Sequence, residues 1–163
     1  MSKRNAILTA AIRLSSPNGF KESQSYSKSN ISKNLNFEMP SKVLLVDDEK
    51  EFVQTLSERL QMRDMGTAVV YGGKSALELI GNDTPEIMII DLKMPVIDGI
   101  ELLKQVKQTQ PEIEIIVLTG HGSEQDKKTC MDLGAFAYMQ KPVDINLLSD
   151  SLKKAYMKIK AVD

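Results

Sequence analysis

From Lys42 onward, short apolar runs alternate with longer stretches in which apolar residues recur every three or four positions. Four of the short runs are nearly continuous in Val, Ile, Leu and Met, which is typical of strands covered on both faces. The predicted strands are residues 42–46, 67–71, 87–90, 113–118 and 137–139. The amphipathic stretches predict helices, each with one apolar stripe, over residues 49–62, 74–80, 99–107, 123–133 and 144–158.

The order of these elements is strand then helix, five times over. Such alternation predicts an α/β fold in which a parallel sheet lies between two helix layers, with right-handed crossovers. In sheets of this type, function gathers where the strands end at their carboxyl side. Asp98 precedes the third predicted helix and Asp144 begins the fifth, and we expect both to act as N-caps.

Composition limits the class of protein further. The chain has 163 residues, 42% of them hydrophobic, which suits one compact domain with a short appendage. The single cysteine, Cys130, excludes an internal disulfide framework and favours a reducing compartment. No apolar run is long enough for a membrane helix. These features together predict a soluble, cytoplasmic protein.

Residues 1–41 differ from the rest of the chain. They are rich in Ser and Asn, lack a sustained apolar period, and carry a net charge of +4, so the remaining chain carries −5. We interpret residues 1–41 as a flexible basic segment and residues 42–160 as the folded domain. An acidic domain is a poor reader of nucleic acid, because phosphate binding needs clustered Lys and Arg. Nucleic acid is therefore disfavoured as a partner.

Polar residues follow four of the strands directly. At these ends stand Asp47-Asp48-Glu49, Asp91, Thr119-Gly120 and Lys141-Pro142. If the strands are parallel, these residues meet at one edge of the sheet. Carboxylates crowded together repel one another and need a cation among them. Oxygen ligands suit Mg2+, whereas zinc prefers thiolates and paired histidines, and the sequence has only one cysteine and one histidine.

A phosphoryl group fits the same set of residues. Lys141 supplies a fixed positive charge and Thr119 a hydroxyl, and a phosphoryl group needs such electrostatic clamping. Asp91 is the best candidate nucleophile, because it stands alone at the end of the middle strand and its attack on phosphorus would give an acyl phosphate.

These motifs together resemble the receiver domain of bacterial two-component response regulators. The resemblance covers residues 42–159 and rests on Asp47-Asp48, the run from Asp91 to Gly99, Thr119-Gly120 and Lys141-Pro142. It implies a flavodoxin-like, doubly wound five-stranded parallel sheet with strand order 2-1-3-4-5 and five helices. That strand order is a property of the family, so it comes from the resemblance alone and not from the pattern of residues.

The resemblance also implies a role for each site residue. Asp91 would accept a phosphoryl group from a histidine kinase or a phosphotransfer protein. Mg2+ would be held by Asp48, Asp91 and the backbone carbonyl of Lys93, with Asp47 acting through water. Lys141 and Thr119 would contact the phosphoryl group.

Thr119 and Tyr138 would form the switch that reports phosphorylation. Movement of the Thr119 hydroxyl towards the phosphoryl group would leave a space that the Tyr138 ring fills. The fourth helix, fifth strand and fifth helix would then bind a downstream protein, and phosphorylation could bring two copies together as a dimer. The chain would be a stand-alone signalling domain, since only four residues follow Ile159. Its chemistry would be limited to its own phosphorylation and dephosphorylation, so it would not be a turnover enzyme.

Alternatives to this interpretation rest on other residues. Residues 4–37 weakly resemble the first two helices of TetR-type helix-turn-helix repressors, so a transcriptional regulator that binds DNA through this segment is the second hypothesis.

An aspartyl-phosphate hydrolase is disfavoured because Lys93 stands where a second acidic residue is needed. A P-loop is disfavoured because Ala68 occupies the position of its first glycine. His121 and Lys93 could tune the lifetime of the phosphoryl state.

Overall fold

The structure is a computed structural model that describes Tyr26 and residues 38–162. The predicted flexible segment and the TetR-like resemblance therefore fall almost entirely outside the described residues, and both stay predictions. The DNA-binding hypothesis depends on that segment and stays untested with it.

Five parallel strands form a single sheet. They are β1 (Val43–Val46), β2 (Thr67–Val70), β3 (Ile87–Ile90), β4 (Glu114–Thr119) and β5 (Ala137–Gln140). Their spatial order, β2-β1-β3-β4-β5, confirms the order that the resemblance implies. Every residue of β1 to β4 is buried, in agreement with their continuous apolar runs, whereas the edge strand β5 is only partly covered.

Within residues 38–162, four helices connect the strands and a fifth follows β5. They are α1 (Lys50–Gln61), α2 (Gly73–Ile80), α3 (Gly99–Thr109), α4 (Glu124–Asp132) and α5 (Ile145–Val162). The predicted N-caps are confirmed for the two helices concerned. Asp98 Oδ1 accepts a hydrogen bond of 2.9 Å from the backbone N–H of Glu101, and Asp144 Oδ1 accepts one of 2.8 Å from that of Asn146.

The core consists of two layers, one on each face of the sheet. Because side chains alternate along a strand, Leu44 and Val46 of β1 join the layer covered by α2, α3 and α4. Val43 and Leu45 join the layer covered by α1 and α5. This doubly wound arrangement leaves the two ends of the sheet as the places where polar side chains can gather.

The structure shifts several element ends by a few residues. Thr119 is the last residue of β4 and not the residue after it, and α5 continues to Val162, beyond the predicted end at residue 158. Apolar periodicity marks the buried part of a helix or strand. The ends depend on hydrogen bonds that the pattern does not reveal.

The chain is already packed where it enters β1. Pro40 is buried, and its carbonyl oxygen accepts a hydrogen bond of 3.1 Å from the backbone N–H of Gly66. Glu86 Oε1 accepts hydrogen bonds of 3.0 Å from the backbone N–H groups of Ser41 and Lys42. The domain boundary at Pro40 stays a prediction.

Within the described part of the chain, no helix is long and apolar enough to cross a membrane.

Candidate functional site

Two buried carboxylates lie side by side at the carboxyl edge of the sheet. Asp47 follows β1 and Asp91 follows β3, and these neighbouring strands are in register at Val46 and Ile90. Asp47 is 4% exposed and Asp91 is 3% exposed. Asp48 is exposed beside them, and one carboxylate oxygen from each of the three residues lies within 4.8 Å of the others. The predicted acidic cluster is therefore present.

Lys141 follows the edge strand β5 and reaches this cluster along the carboxyl edge of the sheet. Its Nζ donates hydrogen bonds of 2.8 Å to Asp47 Oδ2 and 2.6 Å to Glu49 Oε1. The distance from Nζ to Asp91 Oδ2 is 3.9 Å. The ammonium group also lies 4.2 Å from the centre of the Phe52 ring. The Lys141–Pro142 peptide bond is cis.

Burial and pairing act against each other in this cluster. Burial raises the pKa of the Asp47 carboxyl above its ordinary value, even though hydrogen bonds from Lys141 and Glu49 lower it. Burial by itself would lower the pKa of Lys141, but its hydrogen bonds to Asp47 and Glu49 outweigh burial and raise that pKa. The hydrogen bond from Lys141 lowers the pKa of Glu49. These hydrogen bonds thus offset only part of the free-energy cost of burying the ionised Asp47 carboxylate.

The Asp91 carboxylate is fixed by the start of the next loop. Its Oδ1 accepts a hydrogen bond of 2.9 Å from the backbone N–H of Leu92. The loop then returns so closely that a Cβ at Gly99 would overlap the Asp91 carbonyl oxygen and lie 2.7 Å from Leu92 Cα. A Cβ at Gly73 would lie 2.9 Å from Ile97 in the same loop. Gly99 is thus needed for space and not only as a permissive residue after a helix cap.

Thr119 and Tyr138 lie next to each other beyond the acidic cluster. Thr119 is fully buried, and its Oγ1 accepts a hydrogen bond of 3.2 Å from the backbone N–H of His121. The Tyr138 hydroxyl oxygen is enclosed and makes no hydrogen bond within the described part of the chain. Burial is the main cause that raises the pKa of Tyr138. The structure brings the two members of the predicted switch together.

The donor set suits a small divalent cation. All candidate side-chain ligands are carboxylate oxygens, the ligand type that Mg2+ prefers. Both oxygens of Asp47 already accept hydrogen bonds, Oδ1 from the backbone N–H of Glu49 and Oδ2 from Lys141. The direct binding of the cation by Asp48 and Asp91, with Asp47 acting through water, stays a prediction. Lys93 is exposed, and the ligand role of its carbonyl stays a prediction.

Two contacts of Lys141 were not predicted. Glu49 is the partner of Lys141 at the shortest distance, and Phe52 stacks against the same ammonium group. A signal for both was present: Glu49 follows the two aspartates and directly precedes α1, and Phe52 lies three positions later, in the first turn of α1. The sequence did not show towards which carboxylates the lysine would turn.

Comparison with protein families is decisive at this point. A family model described as the response regulator receiver domain matches residues 43–153. The chain belongs to this family. Receiver domains are signalling domains that accept a phosphoryl group, and they are not turnover enzymes in the ordinary sense.

Relatives of the receiver domain differ in length. Sporulation initiation phosphotransferase F of Bacillus subtilis (strain 168) is 32% identical over 123 residues, which cover 76% of this chain and 98% of that protein. In other curated relatives, 33% to 38% identical, this chain spans only 43% to 45% of the protein. Because this chain matches less than half of those longer proteins, their activities do not follow from membership of the family.

Solved structures support the same assignment. A response regulator receiver domain protein from Clostridium thermocellum has a TM-score of 0.72 at 28% identity, over 76% of this chain and 99% of that one. A response regulator from Burkholderia pseudomallei, described with a phosphorylated aspartic acid, a calcium ion and citrate, has a TM-score of 0.66 at 26% identity, over 74% of this chain and 71% of that one.

Proposed function

We propose that this receiver domain is a Mg2+-dependent phosphoacceptor in which Asp91 takes a phosphoryl group from a histidine kinase or a phosphotransfer protein. One observation supports the proposal above all. The buried Asp91 carboxylate lies within 4.8 Å of the Asp47 and Asp48 oxygens and 3.9 Å from the Lys141 ammonium group. That arrangement offers a nucleophile, oxygen ligands and a positive charge at one point.

The reaction would transfer phosphorus from nitrogen to oxygen. A carboxylate oxygen of Asp91 attacks the phosphorus of a phosphohistidine, the P–O bond forms, the P–N bond breaks, and the released imidazole takes up a proton. Bound Mg2+ would neutralise negative charge on the phosphoryl oxygens. Asp48, Asp91 and the Lys93 carbonyl would hold it, with Asp47 acting through water.

The remaining residues would hold and report the phosphoryl group. Lys141 stands between Asp47 and Asp91, so its ammonium group can contact a phosphoryl oxygen with little movement. Thr119 would contact another oxygen through its hydroxyl, and Tyr138 would respond to the movement of Thr119. The α4–β5–α5 face would carry the signal to a downstream protein or to a second copy of the chain.

Some finer features belong to the same proposal. The location in the cytoplasm is inferred from the sequence alone. The Burkholderia pseudomallei structure, described with a phosphorylated aspartic acid and a calcium ion, supports the proposal of a phosphorylated aspartate and a divalent cation in this chain.

Mass spectrometry after incubation with acetyl phosphate and Mg2+ tests the proposal. We expect one added phosphoryl group on the wild type, none on Asp91→Asn, and none when a chelator removes the divalent cation. Asp98→Asn is the matched control, because Asp98 caps α3 nearby and should leave phosphorylation intact. A wild type that gains no phosphoryl group from acetyl phosphate or from a phosphohistidine protein would contradict the proposal, as would a modified Asp91→Asn variant.

Lys93 and His121 provide a second test, of the phosphoryl lifetime. Both side chains are exposed, one two residues after Asp91 and the other two residues after Thr119. From these places they could control the access of water to the acyl phosphate. We expect Lys93→Ala or His121→Ala to change the rate of phosphate loss. Unchanged rates in both variants would remove this part of the proposal.

A further inference from the structure

Among the residues that the structure describes, the Tyr138 hydroxyl has no hydrogen-bond partner. The ring packs against the core layer beneath α2, α3 and α4, and the hydroxyl oxygen is enclosed. A buried hydroxyl that gains no partner loses its hydrogen bonds to water. Packing, and therefore the shape of the space around the hydroxyl, must hold it there.

That space exists because residue 122 is glycine. A Cβ at Gly122 would coincide with the Tyr138 hydroxyl oxygen and lie 2.9 Å from Cζ of the same ring. It would also lie 3.0 Å from Cγ2 of Thr119. Gly122 does not have a positive φ, so its backbone conformation is open to alanine. The Tyr138 ring is the main obstacle to a side chain at residue 122.

We infer that Gly122 is a positioning residue for Tyr138: the missing side chain at residue 122 creates the space beside Thr119 that the Tyr138 hydroxyl occupies. A methyl group there would displace the ring, since the far end of a side chain moves more easily than the backbone. Gly122 thereby determines whether the enclosed position of Tyr138 is available at all.

The regulatory consequence rests on the proposed function. Thr119 borders the same space, and its Oγ1 is linked to the loop through the backbone N–H of His121. Movement of Thr119 or of this loop therefore changes the size of the space that is available to the Tyr138 ring. Gly122→Ala should weaken the coupling between phosphorylation and the position of Tyr138 while leaving the chemistry at Asp91 intact.

Nitration of tyrosine by tetranitromethane, mapped by mass spectrometry, measures the exposure of Tyr138 in the unphosphorylated protein. We expect Gly122→Ala to raise nitration of Tyr138 on the order of fivefold, as when the exposed population rises from about 10% to about 50%. Nitration of Tyr71 should stay unchanged and serves as an internal reference.

Gly120→Ala is the matched control in the same loop. A Cβ at Gly120 would make only ordinary contacts of 3.8 Å with the Lys141 side chain, so this variant should keep the wild-type nitration of Tyr138. The inference is wrong if Tyr138 in Gly122→Ala is nitrated at the wild-type rate. It is also wrong if Gly120→Ala raises the nitration of Tyr138 as much as Gly122→Ala does. If Gly122→Ala is unfolded by circular dichroism, its obstacle is not Tyr138 alone, and the inference is wrong in that case too.

Two further outcomes separate this inference from the proposed function. Gly122→Ala should still gain one phosphoryl group from acetyl phosphate, and loss of that reaction would contradict the expected independence from Asp91. A wild type that is never phosphorylated would overturn the proposed function, while the nitration result would still decide the role of Gly122.

Discussion

Lys141 and Asp47 form an ion pair at the carboxyl edge of the sheet, with 2.8 Å between Nζ and Oδ2 and side-chain exposures of 13% and 6%. Pairing at this depth offsets part of the loss of hydration that both groups suffer. It does not offset all of it, because burial still leaves the pKa of Asp47 above its ordinary value. Ionised Asp47 therefore lowers the stability of the folded domain.

The first prediction concerns the pH dependence of stability. A raised folded-state pKa means that the folded protein binds the Asp47 proton more tightly than the unfolded chain does, so stability falls as the pH rises from 3.8 through the folded-state pKa. Asp47→Asn cannot ionise and lacks this loss. Urea unfolding of both proteins should show a difference that grows in favour of Asp47→Asn as the pH increases from acid to neutral. A constant difference would contradict the prediction.

The second prediction concerns the close approach of α3 to the Asp91 strand end. A Cβ at Gly99 would meet backbone atoms, which cannot move aside without distorting the loop. We expect Gly99→Ala to lower the free energy of unfolding by about 2 to 3 kcal/mol. Gly81 is the matched control: a Cβ there would lie 3.7 Å from the nearest atom, so Gly81→Ala should be neutral or stabilising by up to about 1 kcal/mol. Equal effects of the two changes on urea unfolding would count against this explanation.

The third prediction concerns Val96, in the loop after Asp91. Its φ is 68°, a left-handed conformation that is unfavourable for a β-branched residue, and its side chain is 96% exposed. Because the side chain is exposed, packing contacts do not offset this backbone strain. Asn tolerates the conformation, so Val96→Asn should raise the free energy of unfolding by about 1 kcal/mol. Val96→Ile is the control, because it keeps the strain and should leave the stability almost unchanged. A similar gain in thermal unfolding temperature for both variants would contradict the prediction.

The fourth prediction concerns the thiol of Cys130. The residue is fully buried, and burial raises the pKa of its thiol from 9.0 to about 11. At pH 8 this shift makes the thiolate fraction about 100-fold smaller than in the unfolded chain. We expect the folded protein to react very slowly with a disulfide reagent such as dithiobis-nitrobenzoate, and the urea-unfolded protein to react at once. Rapid reaction of the folded protein would show that α4 opens readily.

Much of the architecture was accessible from the sequence. The continuous apolar runs in β1 and β3 predicted buried strands, and polar residues directly after them predicted where carboxylates would meet. Asp98 and Asp144 were recognisable as caps because capping depends on residues only two or three positions away. Strand order was different, since it came from a family resemblance and not from local pattern.

Contacts across the sheet were not accessible in the same way. Lys141 and Glu49 are 92 positions apart, and their hydrogen bond of 2.6 Å depends on strand order and on the path of a long side chain. The need for glycine at residue 122 likewise arises only because the Tyr138 ring, which comes from β5, lies against it. A glycine in a loop looks the same in the sequence whether or not a ring lies against it.

The sequence by itself determined the elements, the layers and the kinds of chemical group at the edge of the sheet, because those follow from local periodicity and from the residue that ends each strand. Only the tertiary structure decided that Lys141 pairs with Asp47 and Glu49, that Asp91 stays 3.9 Å from it, and that the Tyr138 hydroxyl is enclosed. These relationships are set by packing between distant segments, where a change of about one ångström separates a hydrogen bond from a simple electrostatic contact.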